Sequence, residues 1–186
     1  NLERIRRLDH DVDILHAAIV KYLSRLSREE LVLPDAEALH AYLSIATYYE
    51  SIGDVVETDL VHVGKKRLER NVRMSAATQT IVNELANKVV WATATVTEAV
   101  DRADVSLARR VLGAKGDVNR VADQISERLL SRLIAEDPHR TSTYRVETQL
   151  VENYKRIFYF AKRIARHVAE TDVSGDAQQP GLAPAV

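Results

Sequence analysis

Apolar residues recur along this chain at spacings of three and four, the period that places them on one stripe of an α-helix. Leu2, Ile5, Leu8, Val12, Leu15, Ile19, Tyr22 and Leu26 carry the pattern through a first helix. Leu39, Tyr42, Ala46, Tyr49, Gly53, Val56, Leu60 and Val63 carry it through a second. Further periodic segments run from about Ala76 to Val100, from Val105 to Ile134 and from Ser142 to Val168. No segment alternates with the period of two that a half-buried strand requires, and no Asn-Gly or Asp-Gly hairpin signal is present. Pro34 followed by Asp35 reads as a helix restart, with the aspartate near the positive end of the helix dipole. Asp104 and Ser106 can cap the fourth helix, and Asp137-Pro138 stops it. Gly64, with the basic run behind it, is expected to separate helices two and three. The chain is therefore predicted to be all-α, an antiparallel bundle of five long helices joined by short links.

The helices repeat. Lys21-Tyr-Leu-Ser-Arg-Leu26 echoes Arg128-Leu-Leu-Ser-Arg-Leu133 at an offset of 107, and Asp11-Val12-Asp13 echoes Asp117-Val118-Asn119 at an offset of 106. Two echoes in the same order point to a duplicated helical unit rather than a generic bundle. The helical domain is expected over residues 1–171, with repeat one at about 1–72 and repeat two at about 73–171. Residues 172–186 are rich in Gly, Pro, Ala and Gln and are expected to form a disordered tail. The first residue is Asn and the helical pattern is already running there, so the chain is expected to be a piece of a longer protein.

Composition narrows the function. Lys and Arg number 26 against 27 Asp and Glu, a net charge of -1, which excludes a strongly basic nucleic-acid binder. The absence of cysteine excludes disulfides and thiolate metal sites. No stretch approaches the ~18 apolar residues of a membrane-spanning helix. No nucleophile–base set, phosphate loop or H-E-x-x-H motif is present, so no enzyme activity is expected.

The chemistry that does stand out is acidic. Asp9 and Asp13 lie one turn apart, with His16 continuing their line. Glu50 and Asp54 repeat the arrangement in helix two, with Glu57 continuing it. Both lines run beside the apolar seams, so packing of the two helices would set them at the rim of one interface. Like charges at this spacing repel by a few tenths of a kcal/mol per pair, and a hard cation between them would reverse the sign. The bland alternative is a solvated helix face. Gly53 bears on the choice, since a glycine on a helix seam forgoes about 1 kcal/mol of helix propensity and permits close approach of a neighbour. Glu37-Ala-Leu-His40 matches the E-x-x-H of di-iron helices, but such sites need a second motif and two more glutamates. The other match, Glu136-Asp-Pro-His139, contains a proline, and Glu37 and His40 read as solvent residues of a first turn. Trp91 reads as core or interface, and Tyr49 as core.

Tyr49-Glu50-Ser51-Ile52-Gly53-Asp54-Val55-Val56-Glu57-Thr58 resembles the signature of PhoU-type phosphate-uptake regulators. The segments Leu8 to His16, Tyr22 to Leu26, Glu50 to Leu60 and Gly64 to Leu68 resemble more closely the PhoU-like domain that follows the membrane part of bacterial sodium/phosphate cotransporters. The resemblance covers about residues 1–170, and its specific part is the Ile-Gly-Asp segment. It implies tandem three-helix repeats, the first lacking its opening helix. It also implies a divalent or iron-type metal ion held by Glu50 and Asp54, with Asp9 and Asp13 matching acidic positions on the preceding helix and Glu57 and His16 beside them. Repeat two departs from that pattern, since Lys155 and Tyr159 stand where the acidic pair would be and only Arg156-Ile157 survives. The implied function is non-catalytic regulation of phosphate transport on the cytoplasmic side of the plasma membrane. The implied partner is the membrane domain of a phosphate transporter, in the same or a separate chain. Lys65, Lys66, Arg67, Arg70 and Arg73 read either as a solvated linker or as a contact to anionic headgroups, worth about 1 kcal/mol per residue. The alternatives are a free-standing regulator and a metal-binding or metal-storage protein. The missing helix leaves a seam exposed, so an upstream segment, a second copy in a homo-oligomer or the membrane domain is expected to cover it.

Overall fold

Seven α-helices run through the computed structural model, which describes residues 2–29, 32–133 and 140–176. They are α1 (Leu2–Leu26), α2 (Leu33–Asp54), α3 (Val61–Glu69), α4 (Ala76–Arg102), α5 (Val105–Gly113), α6 (Lys115–Leu133) and α7 (Arg140–Asp176). A π-turn, Val55–Leu60, joins α2 to α3 while the flanking Asp54 and Val61 keep right-handed helical dihedrals. Helices α5 and α6 meet at Ala114, itself helical at φ -72 and ψ -7. The seven helices therefore make the five rods the periodicity predicts, and no strand occurs among the described residues.

The helix ends follow local chemistry. Pro34 and Asp35 occupy the first turn of α2 after an extended Val32. Asp104 caps α5, its Oδ1 accepting from the Leu107 N–H at 3.1 Å, and Ser75 caps α4 by accepting from the Thr78 N–H at 3.2 Å. Gly64 does not end a helix, as expected of it, but lies inside α3. A single glycine costs about 1 kcal/mol in a helix interior, too little to interrupt one anchored by the buried Val63. The chain turns instead at Asn71, whose φ of 48 falls in the left-handed region that asparagine tolerates. Asp137-Pro138 lies outside the described residues. Helix α7 runs on through Asp176, so residues 172–176, expected in the tail, are helical. Residues 177–186 lie outside the described residues.

Helices α4, α5–α6 and α7 form a complete three-helix unit. Its core includes Leu85, Val89 and Val96 of α4, Val121 and Ile125 of α6, and Val151 and Ile164 of α7. Helix α2 packs along α7 and adds Ile45 to the same core, joined by Val55 of the π-turn. Helix α1 is outermost, and among the described residues its packing is against the α2 and π-turn rod. This position corrects the stripe read for helix one. Ile5, Val12 and Leu26 are half-buried, but Leu2, Leu8, Leu15, Ile19 and Tyr22 are exposed. The stripe is wide enough for two neighbours, and among the described residues it meets one. Tyr42, read on the seam of helix two, is exposed for the same reason.

Candidate functional site

Helix α1 crosses α2 at Gly53. A Cβ built on Gly53 would lie 2.9 Å from Asp9 Oδ1 and 3.7 Å from Val12 Cγ1, so the helices touch closely here and a side chain at 53 fits only if the Asp9 carboxylate swings aside. Asp9 therefore sits within the interface, half-buried, rather than at its rim. Its carboxyl is held above the ordinary aspartate range, first by burial and then by the charges of Asp13, Glu57 and Asp54, with His10 acting in the opposite direction. Asp13 and Asp54 are exposed and Glu57 is half-buried. Arg6 Nε approaches Glu57 Oε1 at 3.5 Å, and Thr58 Oγ1 donates to Glu57 Oε2 at 3.0 Å. Glu50 lies one turn before Asp54, half-buried. His16 faces a different neighbour, its Nε2 3.5 Å from Thr47 Oγ1.

The crossing thus brings Asp9, Asp13, Asp54 and Glu57 under one field and leaves His16 elsewhere. Among the described residues no three His, Asp or Glu side chains converge so that they could hold an ion. Arg6 already engages Glu57, and Asp9 is committed to the surface of Gly53. The donors as arranged do not fit the metal ion that the resemblance implies. What the arrangement does is concentrate carboxylate repulsion where two helices touch.

That repulsion has a pH signature. A carboxyl whose folded pKa is raised favours the protonated form, so its contribution to stability is full below the unfolded value of 3.8 and is lost as pH rises through the folded value. Asp9→Asn removes the ionising group at nearly constant shape. It is expected to raise the stability at pH 7 by less than about 1 kcal/mol after solvent screening, with no gain below pH 3.8. Thermal melts of both proteins across pH 3 to 8, identical throughout, would show that the four carboxylates do not share a field.

The π-turn distributes acids to both sides of the rod. Glu57 faces Arg6 of α1, and Asp59 pairs with Arg156 of α7. Nothing in the sequence announced this turn. In repeat two, Lys155 Nζ donates to Glu152 Oε1 at 2.9 Å, and Tyr159 lies edge-on to Phe160 beneath the Lys162 ammonium. The position matching Gly53 is the buried Phe158, so the second motif has lost both its acids and its close approach.

The basic run divides. Lys65 and Arg70 are exposed and Lys66 is half-buried. Arg67 Nε donates to the Val72 carbonyl at 3.4 Å, and its charge bears on Glu147. Arg73 lines a cavity of about 80 Å³ with Arg132, Tyr144 and Glu147. Glu147 is only 2% exposed, and Arg132 Nη1 reaches both its Oε1 at 3.4 Å and Thr78 Oγ1 at 3.1 Å. Burial pushes the Glu147 carboxyl up against the opposing pull of Arg132 and Arg67. Sequence reading missed this network; its one signal was a glutamate between Val146 and Leu150 on an apolar stripe.

Other aromatic residues settle differently. Tyr49 donates from its hydroxyl to Thr97 Oγ1 at 3.2 Å and is half-buried, close to its reading as core. Trp91, read as core or interface, is exposed and lines a surface cleft with Lys88 and Asp117. Tyr48 stacks on Phe160 and His167 and accepts a hydrogen bond from Arg163 Nε at 3.0 Å. Glu37 and His40 are exposed in the opening turns of α2, as read.

Comparison with known proteins bears on this site directly. Residues 1–58 match the PhoU domain family, a segment that holds α1, the Glu50 to Asp54 motif and their crossing. No curated protein matches the chain. Among solved structures, the crystal structure of PhoU from Pseudomonas aeruginosa matches with a TM-score of 0.83 at 18% sequence identity, over 93% of this chain and 81% of that chain. An identity that low establishes the shared fold alone.

Proposed function

We propose that this PhoU-like chain is a non-catalytic regulatory domain of phosphate transport, of the type carried by sodium-dependent phosphate cotransporters. The observation that carries the reading is the α1–α2 crossing. The residues matched to the PhoU domain are those that bring Asp9 onto Gly53, within a chain that shares the fold of PhoU over 93% of its length. Regulation would act by moving α1 against α2 at the point where carboxylate repulsion is stored. The partner would be the transporter's membrane domain, on the cytoplasmic side of the plasma membrane. Lys65, Lys66 and Arg70 would then meet anionic headgroups, while Arg67 and Arg73 serve the Glu147 network. No helix among the described residues is long and apolar enough to cross a membrane. A free-standing regulator docking on a separate transporter is the second reading, favoured by the structural likeness to PhoU itself. A metal-binding or storage role gains no support from the donor geometry.

Uptake of labelled phosphate tests the reading. Deleting the coding region for residues 1–170 is expected to change the uptake rate several-fold, and Gly53→Leu to reproduce that change. Rescue by residues 1–170 supplied as a separate polypeptide would favour the free-standing form. Unchanged uptake in the deletion strain would sink both.

A further inference from the structure

The duplicated unit carries a charge whose sign reverses between its halves. In repeat one the α1–α2 crossing gathers Asp9, Asp13, Asp54 and Glu57, the last three acting on Asp9. The offset of 106 that aligns Asp11 with Asp117 takes Asp9 to Lys115 and Asp13 to Asn119. The offset of 105 that aligns Gly53 with Phe158 takes Asp54 to Tyr159 and Glu57 to Lys162. None of the four acids has an acidic counterpart, and two of the four positions hold lysine. Arg166, one turn beyond Lys162, adds a third cation to the same line of α7.

The fold joins these cations in one field. Lys162 is half-buried, and burial, followed by the charges of Lys115, Arg166 and Arg163, holds its ammonium below the ordinary lysine range. Lys115 opens α6 and Lys162 lies on α7, so the field bridges two rods, as the acidic field bridges α1 and the α2 rod. The neighbouring cations of α7 are engaged: Lys155 with Glu152, Arg156 with Asp59, and Arg163 with the Tyr48 hydroxyl. Lys115, Lys162 and Arg166 pair with no carboxylate among the described residues. Acids outnumber bases in this chain, 27 to 26, so an unpaired group of three cations does not follow from overall charge. Tyr159 stands beside them, 49% exposed, with its ring centroid 5.8 Å from Lys162 Nζ.

We propose that Lys115, Lys162 and Arg166 form a site for a divalent oxyanion of the phosphate class, at the place in repeat two that corresponds to the acidic field of repeat one. One such anion turns the mutual repulsion of the three cations into attraction. A carboxylate carries a single charge and two coplanar oxygens. A phosphate group carries about two charges at neutral pH and three acceptor oxygens, which suits cations arriving from two helices. The lysines act as point charges, and the Arg166 guanidinium can take two oxygens at once. Inorganic phosphate and the phosphate monoester of a lipid headgroup share this chemistry. The inference stands on the repeat comparison and not on the regulation of transport.

Calorimetric titration of the intact chain with inorganic phosphate, against sodium chloride of equal ionic strength, tests it. Saturable one-to-one binding is expected. Lys162→Gln and Lys115→Gln should each weaken it at least roughly tenfold, the loss of one charge-assisted contact. Lys155→Gln removes the same charge from the same helix but should leave binding nearly unchanged, because Lys155 already serves Glu152. Thermal melts give a second readout: phosphate should raise the Tm of the unaltered chain and not that of Lys162→Gln. Without phosphate, Lys162→Gln should melt no lower than the unaltered chain, since it relieves repulsion, and Lys115 is exposed and free to change. A flotation arm uses phosphatidylcholine vesicles with and without phosphatidic acid. Flotation that needs both phosphatidic acid and Lys162, with no binding of free phosphate, assigns the phosphate group to a lipid headgroup. Absence of binding in both arms overturns the proposal. So does equal weakening by Lys155→Gln and Lys162→Gln, which would show diffuse attraction and no site. Neither arm involves transport, so their failure leaves the uptake result to be judged by itself.

Discussion

Ile125→Ala is expected to cost about 2–5 kcal/mol of unfolding free energy, whereas Ile19→Ala, the matching position in repeat one, is expected to change it by less than about 1 kcal/mol. Ile125 is fully buried in the core built by α4, α6 and α7. Truncating it removes apolar burial and leaves a cavity that three packed rods cannot close. Ile19 occupies the same register on α1 but is 40% exposed, so its truncation removes little that was ever taken from water. The two side chains are chemically identical, and only the third helix differs. Urea titrations with unchanged slopes measure both values. If Ile19→Ala proves as costly as Ile125→Ala, the outer face of α1 is covered in solution, and its exposure here does not describe the assembled protein.

The second large effect belongs to Gly53. Gly53→Leu is expected to destabilise the chain by about 1–3 kcal/mol and to loosen α1 before anything else. Any side chain at 53 points at Asp9 Oδ1 and Val12 Cγ1, and a leucine has nowhere to go without lifting α1 from α2. Gly53→Ala should behave quite differently. The atom it meets is the end of a short carboxylate that can swing aside, and alanine returns about 1 kcal/mol of helix propensity, so the net change is expected to be near zero. Limited proteolysis separates the two variants. In Gly53→Leu, cleavage after Arg4, Arg6, Arg7 and Lys21 should accelerate while α4 to α7 stay protected, because among the described residues α1 packs mainly on the α2 and π-turn rod. Full protection of α1 in that variant would mean that the helices do not cross at Gly53.

Much of this architecture could be read from the chain. Helix boundaries depend on local groups, so Pro34, Asp35 and Asp104 marked them correctly. Gly64 misled because one glycine was weighed without the packing of Val63. Gly53 was legible because a poor helix former on an apolar seam has few explanations besides close contact. The acidic spacing was legible too, but convergence of ligands was not. Each residue turns a helix by about 100°, so two correctly spaced carboxylate pairs meet only if the helices also have the right rotation and separation. The π-turn at Val55–Leu60 alters that rotation directly after Asp54 and has no compositional signature. Glu147 and its arginines were out of reach for a similar reason, since Arg67, Arg132 and Glu147 come from three separate rods.

The sequence by itself determined five helical rods, their duplication and the glycine at which two of them touch, because helical period, caps and crowding at one residue are properties of short segments. The tertiary structure alone decided which half of the α1 stripe is buried, whether the acidic lines meet as ligands or as repelling charges, and which arginines turn inward. Those outcomes depend on the neighbour a face finds. The apolar stripe of α6 meets α4 and becomes core, while the same pattern on α1 meets α2 on one side and water on the other.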